Sequence, residues 1–223
     1  KLARLKNTHK MTKTMKMVSA TKLRKAQKAQ KDAGTFEEKL NGIVGRLGVE
    51  VSPDDHPFLN PKKAPGKALV VVFTSDKGLC GGFNSNLNRK TAEWLLNNAS
   101  RLKQIEMSFS GRRGWVFFKN KFTVNKHYEG VAIKPQFTDA LRIGNDLQTA
   151  FLDGQFDEIH VAYNQITGVL THKPVVEKLI PMDTGMLGSN PKQTEMGMWI
   201  FQPDRQELLL ANIPRLINLR IYS

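Results

Sequence analysis

The first 31 residues, KLARLKNTHKMTKTMKMVSATKLRKAQKAQK, contain eleven Lys or Arg and no acid. Good helix formers fill this segment, and the first proline of the chain is Pro53. At about 100° per residue, one side of the predicted helix carries small or apolar residues and one lysine, and the opposite side carries lysines. The first side, called the stripe below, consists of Met11, Met15, Val18, Lys22, Ala26, Ala29 and Ala33.

The spacing of the stripe predicts a nearly straight rod. Its steps alternate between three and four residues and average about 3.7, which is an eleven-residue repeat rather than a heptad. We expect the helix to continue through FEEKLNGIVGRLG and to occupy residues 1–52. Roughly 45 helical residues span on the order of 70 Å, more than a small domain can cover. The stripe must therefore be buried against something other than the body of this chain.

The positive charge of the chain is local. The whole sequence has 34 basic and 20 acidic residues, a net charge of +14. Residues 32–223 hold 23 basic and 20 acidic residues, a net charge of only +3. The opening helix is therefore the part that needs positive charge, and the remainder resembles an ordinary globular protein.

Four functions would suit a basic helix, and the residue types separate them. A targeting peptide would favour Arg and Ser, and a membrane-surface helix would carry Trp, Phe or Leu on its apolar face. Nucleic-acid binding suits the charge but leaves the Met and Ala stripe without a purpose. A helix that packs its stripe on another helix and shows its lysines to acidic partner surfaces fits best. A basic helical nucleic-acid-binding protein stays the alternative.

The rest of the chain predicts a linker and an α/β domain. Four prolines in residues 53–66 indicate the linker. In residues 67–203, ALVVVFT is a buried strand, SNLNRKTAEWLLNN a helix, QIEMSFS a strand, RRGWVFFKN a short helix and FTVNKHY a strand. FTDALRIGNDLQTAFLDG is a helix, and DEIHVAYN and HKPVVEKLIPM are strands. This order is typical of a small, Rossmann-like open α/β sheet.

Residues 204–223 predict the start of a C-terminal helix, in which Pro214 either introduces a kink or begins a new first turn. Helical spacing continues to the last residues without a cap, and no cap precedes the opening helix. We expect both termini to be cuts through helices of a longer parent chain.

The glycine-rich loop TSDKGLCGGFN follows a strand and precedes a helix, where phosphate-binding loops occur. Its spacing matches neither a P-loop nor a dinucleotide fingerprint. We interpret Gly78, Gly81 and Gly82 as tight-turn residues and Cys80 as a small apolar plug rather than a nucleophile. The histidines lack metal-ligand spacing and no pair of acids stands out as general acid and base, so the sequence predicts no catalytic residue, no cofactor and no metal. Cys80 is the one cysteine, which suits a reducing compartment.

Four segments resemble the gamma subunit of F-type ATP synthases, of the bacterial kind, in that family's order and spacing. They are KNTHKMTKTMKMVSATKLRKAQ, SDKGLCGGFN, YNQITGVLTHKPVVEKLIPM and FQPDRQELLLANIPRLINLRIYS. The resemblance implies a central-stalk rotor that couples an ion-driven membrane ring to ATP synthesis or hydrolysis on the beta subunits. It also implies a long C-terminal helix beyond RIYS, which would be the partner of the stripe.

The resemblance implies partners and contact residues as well. The partners are the alpha and beta subunits of the hexamer, the epsilon subunit and the membrane c-ring, without direct membrane insertion. Met15 and Lys16 match contacts with the beta levers, and Lys77, Arg89 and Lys90 match a basic contact with the acidic rim of the ring. Trp199, Phe201 and Gln202 match the foot that faces the membrane ring. The implied location is the cytoplasmic face of the bacterial inner membrane, as a peripheral protein.

Overall fold

A computed structural model describes residues 1–47, 56–62, 64–168, 171–183, 202 and 204–223. Helix α1 spans Leu2–Leu47 without interruption, as expected for a proline-free run of helix formers. Strand β1 (Lys67–Phe73), helix α2 (Phe83–Asn98), strand β2 (Gln104–Ser110), helix α3 (Arg112–Phe118) and strand β3 (Thr123–Tyr128) follow in order. Helix α4 (Phe137–Leu152), strands β4 (Glu158–Ile166) and β5 (His172–Ile180) and helix α5 (Arg205–Tyr222) complete the described elements.

The five strands form one sheet in the order β3-β2-β1-β4-β5. Strands β1 to β4 pair in parallel, as the alternation of strands and helices predicts. Strand β5 pairs antiparallel with β4, which the sequence analysis does not anticipate. The chain between them, residues 167–171, is too short for a helical crossover, and a parallel strand would need one. The Rossmann-like α/β class is confirmed, with an antiparallel strand added at one edge.

Helices cover both faces of the sheet. On one face, α2 and α3 pack on β1 and β2 through apolar side chains that include Leu87, Phe109 and Phe118. On the other face, α4, α5 and the last turns of α1 share one core with β1 and β4, including Val44, Ile143, Ile159 and Ile213. The core thus joins the base of the rod to the α/β domain.

The described part of the predicted linker contributes to this core. Phe58 and Leu59, in a 3₁₀ turn, are 2% and 1% exposed, and the Phe58 carbonyl accepts a hydrogen bond from the Met182 N–H. Burial also lowers the pKa of His56. The linker therefore does more than connect two parts. The domain boundaries 1–52, 53–66, 67–203 and 204–223 stay predictions.

Helix α5 is continuous through Pro214, so the helix does not begin anew at this residue. It begins at the N-cap Asp204, whose carboxylate accepts a hydrogen bond from the Glu207 N–H at 2.8 Å. In the part of the chain that the structure describes, no helix is long and apolar enough to cross a bilayer.

Candidate functional site

The first candidate surface is the free part of helix α1. Residues 1–28 are all exposed, and from Ala33 onwards the helix begins to be buried. Met11, Met15 and Val18 of the stripe are 68%, 67% and 52% exposed, and Lys16 beside them is exposed as well. Roughly 40 Å of helix therefore projects from the body. The stripe lies open from Met11 to Ala26 and reaches the body of the chain at Ala33, which is buried.

The rod is attached through helix α5. Arg220 near the end of α5 pairs with Glu37 at 3.7 Å and reaches the Asn41 side chain at 3.4 Å. The large buried side chains of α1, Leu40, Val44 and Leu47, lie after Glu37 in sequence, and the buried residues of α5 lie before Arg220. Both sets can face each other only if the two helices run antiparallel. A helix that continued in the direction of α5 would thus lie along the open stripe.

Helix α5 in turn is interlocked with α4 at Gly144. A Cβ atom at Gly144 would lie 1.9 Å from the Asn218 Oδ1, so the backbone of α4 touches this side chain. The Asn218 Oδ1 accepts a hydrogen bond from the Gln148 Nε2 at 2.7 Å. Gln148 also donates to the Pro214 carbonyl at 3.3 Å. A steric contact and buried hydrogen bonds together fix α5 on the α/β domain.

The second candidate surface is the glycine-rich loop, residues 74–82, between β1 and α2. Asn84 in the first turn of α2 holds it, because its Oδ1 accepts from the Ser75 N–H at 3.0 Å and its Nδ2 donates to the Cys80 Sγ at 3.1 Å. The Ser75 hydroxyl donates to the Lys77 carbonyl at 2.6 Å. Gly81 has a φ of +56°, and Gly82 is the N-cap of α2, in agreement with the predicted turn.

Cys80 differs from its predicted role. It is exposed rather than a buried apolar plug, and its sulfur accepts a hydrogen bond from the Asn84 side chain. Among the described residues, no cluster of His, Cys, Asp and Glu has the arrangement of a metal site. The loop has the features of a contact surface.

The predicted basic residues lie on this loop and on α2. Lys77 and Arg89 are exposed, and Lys90 is exposed and lies 3.9 Å from Glu93. The structure adds Arg112 and Arg113, which the sequence analysis misses. The Arg112 N–H donates to Asp76 at 2.8 Å, and the Arg113 Nη2 would lie 2.8 Å from a Cβ at Gly78.

A sequence signal for these two arginines exists. They follow directly after β2, and the carboxyl ends of neighbouring parallel strands meet at one edge of a sheet. The intervening Gly111 has a φ of +103°, and a Cβ there would lie 2.0 Å from the Thr74 carbonyl oxygen. Only glycine permits this approach between the two loops.

The rod and the loop lie at the same end of the molecule. A cleft of about 340 Å³ at the carboxyl ends of β1 and β4 is lined by Ser75, Phe83 and Asn164, and also by Ile221 and Tyr222. The last two residues belong to the end of α5, next to the Glu37 region of α1. A partner that surrounds the projecting rod would therefore contact the glycine-rich loop, called the basic loop below.

The third predicted site is the foot. Trp199 and Phe201 lie outside the described residues, and Gln202 is exposed. The structure thus places Lys77 on the loop, Arg89 and Lys90 on α2, and Met15 and Lys16 on the rod, all of them exposed. It does not test the foot contacts.

A partly buried ionic cluster lies near the amino end of β4, at the other end of the strands from the loop. Arg101 donates two hydrogen bonds to Glu158, at 2.9 and 2.6 Å, and the His160 Nε2 lies 2.9 Å from the same carboxylate. Burial alone would raise the pKa of Glu158, but the hydrogen bonds from His160 and Arg101 outweigh it and lower the pKa to about 2. Arg101 and His160 thus stabilise the charged form of Glu158, which fits a structural role for the cluster.

Comparisons with known proteins agree on one family. A family model described as ATP synthase matches residues 1–223. The ATP synthase gamma chain of Geotalea daltonii is 32% identical over 223 residues, covering 100% of this chain and 76% of the relative. The gamma chain of an Anaeromyxobacter species is 33% identical over 229 residues, covering 100% and 77%.

A solved structure shows the same fold. It is that of the Tetrahymena thermophila mitochondrial ATP synthase, central stalk and c-ring, with a TM-score of 0.56 and 20% identity. The match covers 95% of this chain and 89% of that chain. Both the long helix and the α/β domain are therefore included in the likeness.

Proposed function

Because this chain belongs to the gamma-chain family of ATP synthases, we propose that it is the central-stalk rotor subunit, which transmits torque between the ion-driven membrane ring and the catalytic alpha/beta hexamer. The observation that carries the proposal is the open rod. Residues 1–28 are exposed, basic on one side and apolar on the other, and are joined to the body only at their base. Such a helix gains stability only inside a larger assembly.

The contacts of α5 with α1 and α4 can transmit torque from the α/β domain to the rod or from the rod to the domain. Helix α5 packs against both α1 and α4, so it lies between the rod and the α/β domain. The contact of Gly144 with Asn218 resists sliding between α4 and α5. The pair of Arg220 with Glu37 joins α5 to α1. A rotation of the α/β domain would therefore turn the rod with it.

Coupling to chemistry requires that the rod touch the catalytic subunits differently in each orientation. The rod offers Met15 and Lys16 for contact with the beta subunits, and it is asymmetric because its apolar and basic sides differ. A catalytic site changes state only through differential contact with such a surface. In this proposal ATP synthesis and hydrolysis take place on the beta subunits, and this chain supplies no catalytic residue.

The basic loop is proposed as the contact with the acidic rim of the hexamer. Lys77, Arg89 and Lys90 are exposed, and the loop lies at the end from which the rod projects. Trp199, Phe201 and Gln202 are proposed to face the c-ring, and the epsilon subunit is proposed as a further partner. The proposed location is the cytoplasmic face of the bacterial inner membrane. The matches to gamma chains give the nucleic-acid alternative no support.

The test is charge reversal on the loop, at Lys77, and on α2, at Arg89. In a reconstituted synthase, Lys77→Glu with Arg89→Glu should lower proton pumping per ATP hydrolysed, because the contact with an acidic rim becomes repulsive. Lys103→Glu with Lys119→Glu, just before β2 and just after α3, makes the same change in net charge at the opposite end of the domain and should leave coupling unaltered. Unchanged coupled turnover in the loop variant would contradict the proposed contact.

A further inference from the structure

The tip of the glycine-rich loop presents a leucine in an unusual conformation. Leu79 has a φ of +62°, and it is the one non-glycine residue with positive φ in the described part of the chain. Its relative exposure is 110%, the highest of the exposed large apolar side chains. A left-handed backbone disfavours leucine, and Gly, Asn or Asp would adopt it more easily. In the isolated chain, burial of this side chain therefore does not offset the cost of the left-handed backbone at Leu79.

The loop holds Leu79 rigidly from both sides. Before it, the Ser75 hydroxyl bonds the Lys77 carbonyl and the Asn84 Nδ2 bonds the Ser75 Oγ at 2.8 Å. After it, the Phe83 N–H donates to the Cys80 carbonyl at 3.2 Å. The backbone is fixed by groups other than the leucine side chain. A preorganised apolar anchor of this kind loses little entropy on binding.

Positive charge surrounds the anchor. Lys77 precedes it by two residues, and the Arg113 guanidinium lies over Gly78. Arg112 is exposed beside them, and within the described ranges none of these three cations forms an ion pair with an acid. Asp76 is the one acid of the loop, and its Oδ1 is occupied by the Arg112 N–H. The surface is thus an apolar tip within a basic border.

From these observations we infer that Leu79 is an anchor that inserts into an apolar pocket bordered by carboxylates on the alpha/beta hexamer. The inference rests on the proposed function and adds to it the chemistry of the pocket. The leucine contributes affinity through burial at the centre of the contact. Lys77, Arg112 and Arg113 contribute orientation and rate of association through complementary charge at its border.

The test separates the effect of the Leu79 side chain on binding from the effect of its backbone conformation. Leu79→Asn keeps the left-handed conformation and removes the apolar group, and Leu79→Ala removes the group alone. Leu96→Ala is the matched control, since Leu96 is 77% exposed on α2 outside the loop. Each labelled chain is titrated with the alpha/beta hexamer at low and high salt, and its melting temperature is measured alone.

We expect Leu79→Asn to melt at the same temperature as the unsubstituted chain or higher, and to bind the hexamer at least about tenfold more weakly. Leu96→Ala should bind normally. Replacing Lys77, Arg112 and Arg113 by Gln should reduce the salt dependence of binding. If the unsubstituted chain binds the hexamer and both Leu79 variants bind equally well, the anchor is refuted while the proposed function stands. If the unsubstituted chain does not bind, or binds duplex DNA instead, both are refuted.

Discussion

The same glycine-to-alanine substitution should have opposite effects at two helical positions. Gly144 in α4 faces Asn218, and an added Cβ would lie 1.9 Å from its Oδ1 and 2.9 Å from its Cγ. Gly42 in α1 has no atom within 4 Å of an added Cβ. Both lie in helix interiors, where alanine is intrinsically favoured over glycine by about 1 kcal/mol. Any difference in sign must therefore come from the tertiary contact.

The size of the destabilisation by Gly144→Ala depends on the contacts that Asn218 loses when the Cβ is added. Asn218 is 7% exposed and cannot rotate away without losing its hydrogen bond with Gln148. Disrupting a buried hydrogen bond costs about 1–3 kcal/mol, and overpacking costs a similar amount. When both costs are added and the gain in helix propensity is subtracted, Gly144→Ala should destabilise the chain by about 1–5 kcal/mol. Gly42→Ala should stabilise it by about 0.5–1 kcal/mol.

Urea denaturation of the isolated chain, followed by circular dichroism at the helix band, measures both changes. The midpoint should fall for Gly144→Ala and rise for Gly42→Ala at a constant m-value. In the double variant Gly144→Ala with Asn218→Ala, the clash is absent, so the effects should be less than additive. A Gly144→Ala chain as stable as the unsubstituted one would refute the interlock between α4 and α5.

Three further predictions concern single groups. First, the pKa of Glu158 is lowered to about 2, so its contribution to stability is present above about pH 4.5 and lost as the pH falls towards 2; unfolding titrations should show this loss, and Glu158→Gln should flatten it. Second, the pKa of Tyr163 is raised to about 12, mainly by burial and then by Glu177 and Glu37, while Arg220 lowers it. Glu37→Gln should therefore lower the pKa of Tyr163 and Arg220→Gln should raise it in a phenol absorbance titration, and shifts of the same sign would contradict the geometry. Third, Cys80 is exposed, so it should react with a thiol reagent in the native state without prior unfolding. Cys80→Ser should change the stability by less than about 0.5 kcal/mol, and slow labelling that required unfolding would contradict the exposed position.

The types and order of the elements could be predicted from the sequence because they depend on local patterns. The rod follows from a proline-free run of helix formers with a stripe, and β1 follows from ALVVVF, whose residues are buried on both faces of the sheet. The open stripe also follows, since a helix of some 45 residues exceeds the reach of a small domain. Antiparallel pairing of β5 could be inferred from its short connection to β4, but the sequence analysis does not use that signal.

The candidate site depended far more on tertiary structure. Arg112 and Arg113 are more than 30 positions from Lys77 in sequence, and only the pairing of β1 with β2 brings them to the loop. The exposure of Cys80 and the backbone of Leu79 depend on how Asn84 holds the loop.

What the sequence determined by itself is a charged rod with an apolar stripe and the alternation of an α/β domain, because periodicity and propensity act between near neighbours along the chain. What only the tertiary structure decided is how these parts meet. Helix α5 lies antiparallel to the base of the rod, Gly144 contacts Asn218, and the basic loop lies at the end from which the rod projects. Such pairings depend on the packing of side chains far apart in sequence, and no local pattern specifies them.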